Sequence, residues 1–584
     1  MSARCRRRGF VATLLGFASL STQAAWPPAL ETATLTSAEH AAATMLIERT
    51  GTYLPASITA NLPTLRLSFD DDLPAAVHGR IRGDRIRLAR HLLHAPDDEP
   101  SIAALLHELA HALDRHLKLS QVPHLLDLAG WQIKPRRLGL RNTRNRLRDR
   151  SPDTYELTSP REFFAVNFEH FLRDPDYACR RPALHRFLVE HLGMPNHAES
   201  RRCAPDFPFV VPGAGSSLET LDPARVHSIE YLLAEPGAAA MSRWGHSMLR
   251  LVICAPERAP GPACRLDLQH HRVLSFRAFV HDVQISSWRG LTGRYPSRLF
   301  VLPLDQVIEE YTAIELRGLR SVPLKLSDAE KASLLERAAQ LHWNYDGRYT
   351  FLGNNCASET YKLLHDGVPR LAHEPVAAIA PTALLRRLER AGIADAAAPA
   401  REDAVRLGYH FPSADRHYAE LFAIARAALP LPARDVHAWL ALPPQQRTPW
   451  MSTGELRASA ALLVLEEAAL RRAELRARDI LKRQLLRDRR DPKHPLLHDT
   501  LALEGALARP ASLLENVPGY GLPQLDERQH AAERAGYTFT RWQQHSAQLH
   551  ERAHASLPVT TRQTLATTRQ NLEQLGRHLR SLSE

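Results

Sequence analysis

The segment Tyr349–Leu364, YTFLGNNCASETYKLL, decides how the chain is read. Gly353-Asn354-Asn355 interrupts a strand-like YTFL, and the helix formers after it carry Ala357, Tyr361 and Leu364 at helical spacing. A helix is therefore predicted to open at Cys356. A thiol there faces unsatisfied backbone N–H groups at the positive end of the helix dipole, which favours thiolate. Cys356 is the first candidate nucleophile, with an expected apparent pKa below about 8.5. A thiolate also needs a proton acceptor. MSRWGHSMLRLVI (Met241–Ile253) offers His246 after Trp244-Gly245, at the mouth of an apolar strand that can aim it toward the helix start.

The other cysteines sharpen this reading. Cys5 lies in the N-terminal leader, and Cys179, Cys203, Cys254, Cys264 and Cys356 remain. In an oxidising compartment an even set pairs and an odd one needs a reason. Cys254 and Cys264 flank the turn-like APERAPGPA, while Cys179 and Cys203 bracket a helix and the loop after it. Two disulfides leave Cys356 free; a bridge involving Cys356 is the alternative.

Four motifs follow one another here: Gly245-His246 at a strand start, VLSFRA (Val273–Ala278), GLTGRYPSRLF (Gly290–Phe300) and Asn355-Cys356 opening a helix. In this order they resemble the periplasmic domain of the Lnb type of lipoprotein N-acyltransferase, over about residues 206–410. The order of histidine before cysteine is also similar to circularly permuted papain-like enzymes, among them lipid acyltransferases and amide hydrolases. The resemblance implies an acyl chain taken from a phospholipid and given to a lipoprotein amine. Peptidoglycan peptide is the other natural acceptor in that compartment.

The chain opens with Arg4, Arg6, Arg7 and Arg8, then FVATLLGFASL and Thr22-Gln23-Ala24, which reads as a signal peptide over residues 1–24, cleaved on export. A periplasmic protein is expected. No cysteine follows the cleavage point and no later apolar run reaches 18 residues, so neither a lipid anchor nor a transmembrane helix is expected. The 584 residues, 44% hydrophobic, suffice for about three domains. Of the formal charge of +11, four units lie in the leader, leaving +7 on the mature chain. That surplus suits an anionic envelope, and without aromatic interleaving or a nucleic-acid motif no nucleic-acid partner is expected.

Residues 25–205 read as an α+β domain. SAEHAAATMLIERTG (Ser37–Gly51) has a helical apolar stripe, and LRLSF and RIRGDRIRL read as short strands. SIAALLHELAHALDRH places His107 and His111 on one helix face with Glu108 between them, on a stripe of Ile102, Leu105, Leu106, Leu109 and Leu113. Histidines four apart can share one Zn²⁺, and the glutamate can take a proton from metal-bound water. SPREFFAVNFEHF supplies Glu162 as third ligand, with Glu169 as the alternative, and Tyr155 lies seven residues before Glu162. The arrangement resembles the catalytic domain of the anthrax lethal factor group of zinc metallopeptidases. That resemblance makes His107, His111 and Glu162 ligands of one zinc, Glu108 the general base and Tyr155 the oxyanion partner.

Pro205, Pro208, Pro212 and Gly213 mark a linker. Strands are expected from Ser228 to Leu302 and helices from Ser327, with His270, His271 and His281 as residues that could orient His246. Residues 411–584 read as helical: Ser452 with Glu455 forms a capping-box pattern, and Leu456, Leu463, Leu470 and Ala477 recur at sevens. Glu467 with Arg471 and Glu474 with Arg478 suit i,i+4 pairs, while LKRQLLRDRRDPKH could touch anionic headgroups. The expected fold class is α+β multidomain: a zincin-like N-terminal domain, a permuted papain-like domain (206–410) and an all-helical C-terminal region (411–584). The expected function is a Cys356/His246 acyl transferase or amide/ester hydrolase acting on envelope lipid, lipoprotein or peptidoglycan. A zinc metallopeptidase with a papain-like recognition module, and a non-catalytic envelope scaffold, are the alternatives.

Overall fold

The computed structural model describes residues 26–74, 77–131, 150–194, 203–211, 217–237, 243–278, 295–345, 347–350, 353–374, 376–487, 499, 502–503 and 505–583. The expected signal peptide, His281, residues 290–294 of the Gly-rich motif and Asp491-Pro492 lie outside these residues. The chain forms two compact units: Met1–Leu119 with Asn167–Arg173 and Leu188–Asn196, and Ser120–Val166 with Asp174–Phe187 and His197–Glu584. Segments read from the sequence as one N-terminal domain are thus divided between them.

The smaller unit holds a four-stranded sheet of β1 (Ala29–Leu30), β2 (Arg66–Asp70), β3 (Gly79–Arg82) and β4 (Arg85–Ala89), in the order β1-β2-β4-β3. Its edge strand β3 runs antiparallel to β4, and the other pairs are parallel. The helix Ser37–Gly51 begins at a capping box between Thr36 and Glu39. The helix Glu99–Leu117 packs on β3 and β4. All five apolar residues of its predicted stripe are fully buried, which is what period-3.6 placement on a sheet demands.

The larger unit is built on a seven-stranded antiparallel sheet. Its strands are β7 (Val226–Ala234), β8 (His246–Ile253), β9 (Arg272–Ala278), β10 (Tyr295–Pro303), β11 (Leu319–Pro323), β12 (Gly347–Tyr349) and β13 (His410–Phe411), in the order β12-β10-β9-β8-β7-β11-β13. A separate hairpin pairs β5 (Phe207–Val210) with β6 (Leu218–Leu221). Both faces of the sheet are covered, so β7 and β8 read as nearly continuous apolar runs. On one face Leu249, Leu251, Leu274 and Phe276 join Ala357, Leu363 and Leu364 of the helix Cys356–Gly367 and residues of Asp328–Asn344. On the other, Met248 and Val273 pack with Leu304, Val307 and Tyr311.

The C-terminal segment is helical, as expected, and it shares the core of the larger unit. Leu513, Leu514, Leu522, Ala531 and Ala535 belong to the same core as Leu249 and Leu363, and β13 closes the sheet edge beside β11. The long helix was expected and spans Leu456–Arg487, but two details differ. It starts after Glu455, so Ser452 does not cap it. Its buried seam runs through Ala458, Ala461, Leu462, Leu465, Ala468 and Ala469, while Leu456 is exposed, because small residues admit the neighbouring helices Ala414–Ala428 and Val559–Ser583 closely. Glu474 reaches across to Arg569 at 3.1 Å and Arg471 to Glu309 at 3.3 Å.

Candidate functional site

The two asparagines before Cys356 have separate tasks. Asn355 is the N-cap: its side-chain oxygen accepts from the N–H groups of Ala357 (3.0 Å) and Ser358 (3.2 Å), and its amide donates to Ile379 O at 2.9 Å. Asn354 donates to Arg348 O at 2.8 Å and accepts from Lys362 Nζ at 2.9 Å, tying the turn to β12 and the helix. The helix Cys356–Gly367 therefore starts where the sequence predicts, with Cys356 at its first position. Cys179–Cys203 and Cys254–Cys264 are disulfides, and Cys356 is the free, buried thiol.

Hydrogen-bond donors converge on the sulphur: the Ser247 N–H and hydroxyl, the Tyr349 hydroxyl and the Ala357 N–H. They favour thiolate, but burial outweighs them and pushes the Cys356 thiol above its ordinary value. The expected thiolate near neutral pH is thereby corrected. Cys356 is only 5% exposed, and desolvation defeats the helix dipole. Tyr349 is raised well above 10 by burial and by Cys356, so its phenol stays a donor.

Gly245 (φ +80) leads into β8 in the left-handed region, and a Cβ there would stand 2.7 Å from Ala234 O. His246 follows it. Its Nε2 lies 3.1 Å from Ser275 Oγ, and its ring stacks with Tyr311 at 6.1 Å. Ser275 also accepts from Arg277 Nε (3.1 Å), whose guanidinium grips Glu310 at 2.9 and 3.1 Å. Burial lowers His246 to about 3, helped by Arg277 and Arg317. The imidazole thus rests neutral and bonded to Ser275. Ser247, the residue after His246, is the one that donates to the sulphur.

The sequence left the residue orienting His246 open among nearby histidines. His271 is occupied elsewhere, between Arg250 Nη2 and Cys264 O, each at 2.9 Å. Ser275 holds the position instead. Its signal was VLSFRA, where period-2 alternation puts Ser275 and Arg277 on one face with Val273. Ser247 and Tyr349 were also missed as neighbours of the sulphur.

At the other candidate centre, His107 and His111 lie one turn apart with ring centroids 4.9 Å from each other. Glu162 stands in the first turn of Pro160–Arg173. Two imidazoles and a carboxylate are a donor set that fits zinc with a position left open. Glu169 pairs with Arg173 at 2.7 Å. Glu108 is buried against Gly79 of β3, where a Cβ would stand 2.9 Å from its Cγ and 3.0 Å from Oε1. Tyr155 sits half exposed in the 3-10 turn Thr154–Leu157.

Comparison with known proteins adds two matches. Residues 103–200 match a domain of unknown function (DUF7844), and residues 216–391 match the Lnb N-terminal periplasmic domain. No curated protein and no solved structure matches the chain. The likeness to the lethal factor group gains no support, since its segment matches the uncharacterised family. Among the described residues no helix is long and apolar enough to cross a membrane. Residues 216–391 carry an Lnb-type periplasmic domain, which with the two disulfides fits an exported, envelope-associated protein.

Proposed function

We propose that the chain is a thiol-dependent acyl transferase or hydrolase of envelope esters or amides, with Cys356 as nucleophile and His246 as base. The observation that carries this is the free thiol at a capped helix start, ringed by the donors of Ser247, Tyr349 and Ala357, with His246, the residue before Ser247, held by Ser275. The base role requires Nε2–H to donate to Ser275 Oγ, leaving the Nδ1 lone pair for the thiol proton. As that proton leaves, sulphur attacks the substrate carbonyl and the C–O or C–N bond breaks. The imidazolium then protonates the leaving group. An amine or water next attacks the thioester, its proton passes to His246, and the thiol is regenerated. The Ser247 and Ala357 N–H groups and the Tyr349 hydroxyl supply donors for the developing oxyanion.

The Lnb likeness favours a phospholipid acyl donor and a lipoprotein amine acceptor. Incubation of the purified chain with phospholipid vesicles, followed by intact-mass analysis, should give an acyl adduct on wild type and none on Cys356→Ala. An adduct that persists on Cys356→Ala sinks the reading.

A second reading concerns His107, His111 and Glu162, whose residue types, with the two histidines four apart on one helix, suit one zinc and hydrolysis of a peptide with Glu108 as base. Zinc would polarise the scissile carbonyl and its bound water. His111→Ala should lose that metal, because two remaining ligands rarely hold it tightly.

A further inference from the structure

At the far end of the cysteine helix, a second group of metal-binding side chains gathers. The short helix Pro123–Leu128 packs against Cys356–Gly367. Each helix contributes a histidine and an aspartate: His124 and Asp127 from one, three apart on one face, and His365 and Asp366 from the other. Asp127, His365 and Asp366 offer ligand atoms all within 4.8 Å of one another. His124 stands beside them, with Nε2 at 3.9 Å from Asp366 Oδ1 and its ring centroid 5.8 Å from that of His365.

Two further observations bear on what the group holds. Asp127 Oδ1 is buried without a hydrogen-bond partner, an arrangement native proteins rarely leave uncompensated. Asp127 and Asp366 also line a cavity of about 10 Å³ with Trp131, Arg337, Glu359 and Lys362, room for one water or one small ion. The second carboxylate is already oriented. Arg337 Nη2 donates to Asp366 Oδ2 at 3.2 Å, and His365 Nδ1 lies 2.9 Å from Oδ1. An outer partner such as Arg337 fixes a ligating carboxylate in metal sites.

We propose that Asp127, His365 and Asp366, with His124 as a neighbouring fourth donor, bind one divalent transition-metal ion of the zinc class. The mixed imidazole and carboxylate set suits zinc or cobalt better than calcium or magnesium, which take oxygen ligands. With its donors drawn from two packed helices, the ion is structural. It pins Pro123–Leu128 to the helix whose first residue is Cys356.

The test uses the full mature chain, stripped with chelator and then dialysed against Zn²⁺ or Co²⁺, with metal counted by mass spectrometry. The conservative variant Asp127→Asn, checked for native circular dichroism, should bind one equivalent fewer than wild type. Zn²⁺ should raise Tm in His111→Ala but not in His111→Ala/Asp127→Asn. Equal metal content in wild type and Asp127→Asn overturns the proposal, and a water in the cavity then explains the orphan oxygen. So does a Zn²⁺ shift that the double variant retains. If His111→Ala keeps the metal and Asp127→Asn loses it, the His107 reading fails and this one stands.

Discussion

His246 and Ser247 are consecutive on β8, yet the imidazole bonds Ser275 at 3.1 Å while the Ser247 hydroxyl lies 3.4 Å from Thr360 Oγ1 of the cysteine helix. Alternation along a strand sends the two side chains to opposite faces. The imidazole and the hydroxyl that donates to the Cys356 sulphur therefore leave the strand on opposite faces, and the proposed base and nucleophile both rest neutral.

The first consequence is kinetic. Burial raises Cys356, so alkylation by iodoacetamide should be slow at pH 7 and still climbing above pH 9. Rates measured from pH 6 to 10 check this. A plateau below about pH 8 would restore the thiolate.

Ser275→Ala leaves His246 without its 3.1 Å partner and Arg277 without a target for Nε. Acyl transfer should fall about tenfold or more through kcat, with KM little changed, because orientation and not binding is lost. Ser275→Thr, which keeps a hydroxyl, should recover part of the rate. A loss confined to KM contradicts the role.

Gly79→Ala tests the cradle around Glu108. The new methyl would stand 2.9 Å from Glu108 Cγ and 2.9 Å from Leu88 Cδ2, so stability should drop by about 1–3 kcal/mol as neighbours shift. If the His107 centre hydrolyses peptides, the same change should depress that activity while zinc content stays. Glu108→Gln should likewise keep the metal and abolish hydrolysis.

Local signals carried much of this fold. Ser327 with Glu330, Asn355 before Cys356 and the stripe Ile102 to Leu113 all mark their helices, because caps and periodicity depend only on near neighbours. The unread parts depend on distant ones. Nothing near Leu513 or Ala531 says that they share a core with Leu249, and nothing near Asp127 reveals His365. The resting charge of Cys356 was misread for the same reason, since desolvation is set by the whole fold and the helix dipole by one turn.

His342 predicts a pH effect. Its Nε2 accepts from Val210 N–H at 2.9 Å, so Nδ1 carries the proton toward Leu299 O at 3.0 Å. Burial lowers it to about 4. The unfolded chain takes up this proton near pH 6.5 and the folded chain only near 4, so the stability is complete above 6.5. It is lost as pH falls through that window, on the order of 3 kcal/mol. His246 and His271, each lowered to about 3, act in the same direction. Tm measured from pH 7.5 to 4 should fall steadily, and less steeply for His342→Gln. A flat profile contradicts the neutral tautomer.

The last prediction concerns the C-terminal segment and rests on Glu527. Its side chain is 1% exposed and pairs with Arg150, itself 3% exposed, and with Arg180 Nη1 at 3.1 Å. Its Oε2 also accepts from Gln524 N–H at 2.7 Å, closing the cap of the helix Leu525–Ser556. The backbone adds Gly521 N–H to Arg150 O at 2.9 Å and Leu522 N–H to Arg180 O at 2.8 Å. Removing one member of a buried pair leaves an uncompensated charge and typically costs about 3–5 kcal/mol, whereas replacing the whole set with apolar residues is often neutral. Glu527→Gln should therefore lower Tm by several degrees, and the triple change Glu527→Leu, Arg150→Met, Arg180→Met should recover most of that. A chain ended after residue 411 should fail to fold, since it exposes the core faces that Leu513, Leu514, Leu522 and Ala531 cover. Cooperative unfolding of that shortened chain at the full-length Tm would show that the C-terminal helices are an independent module.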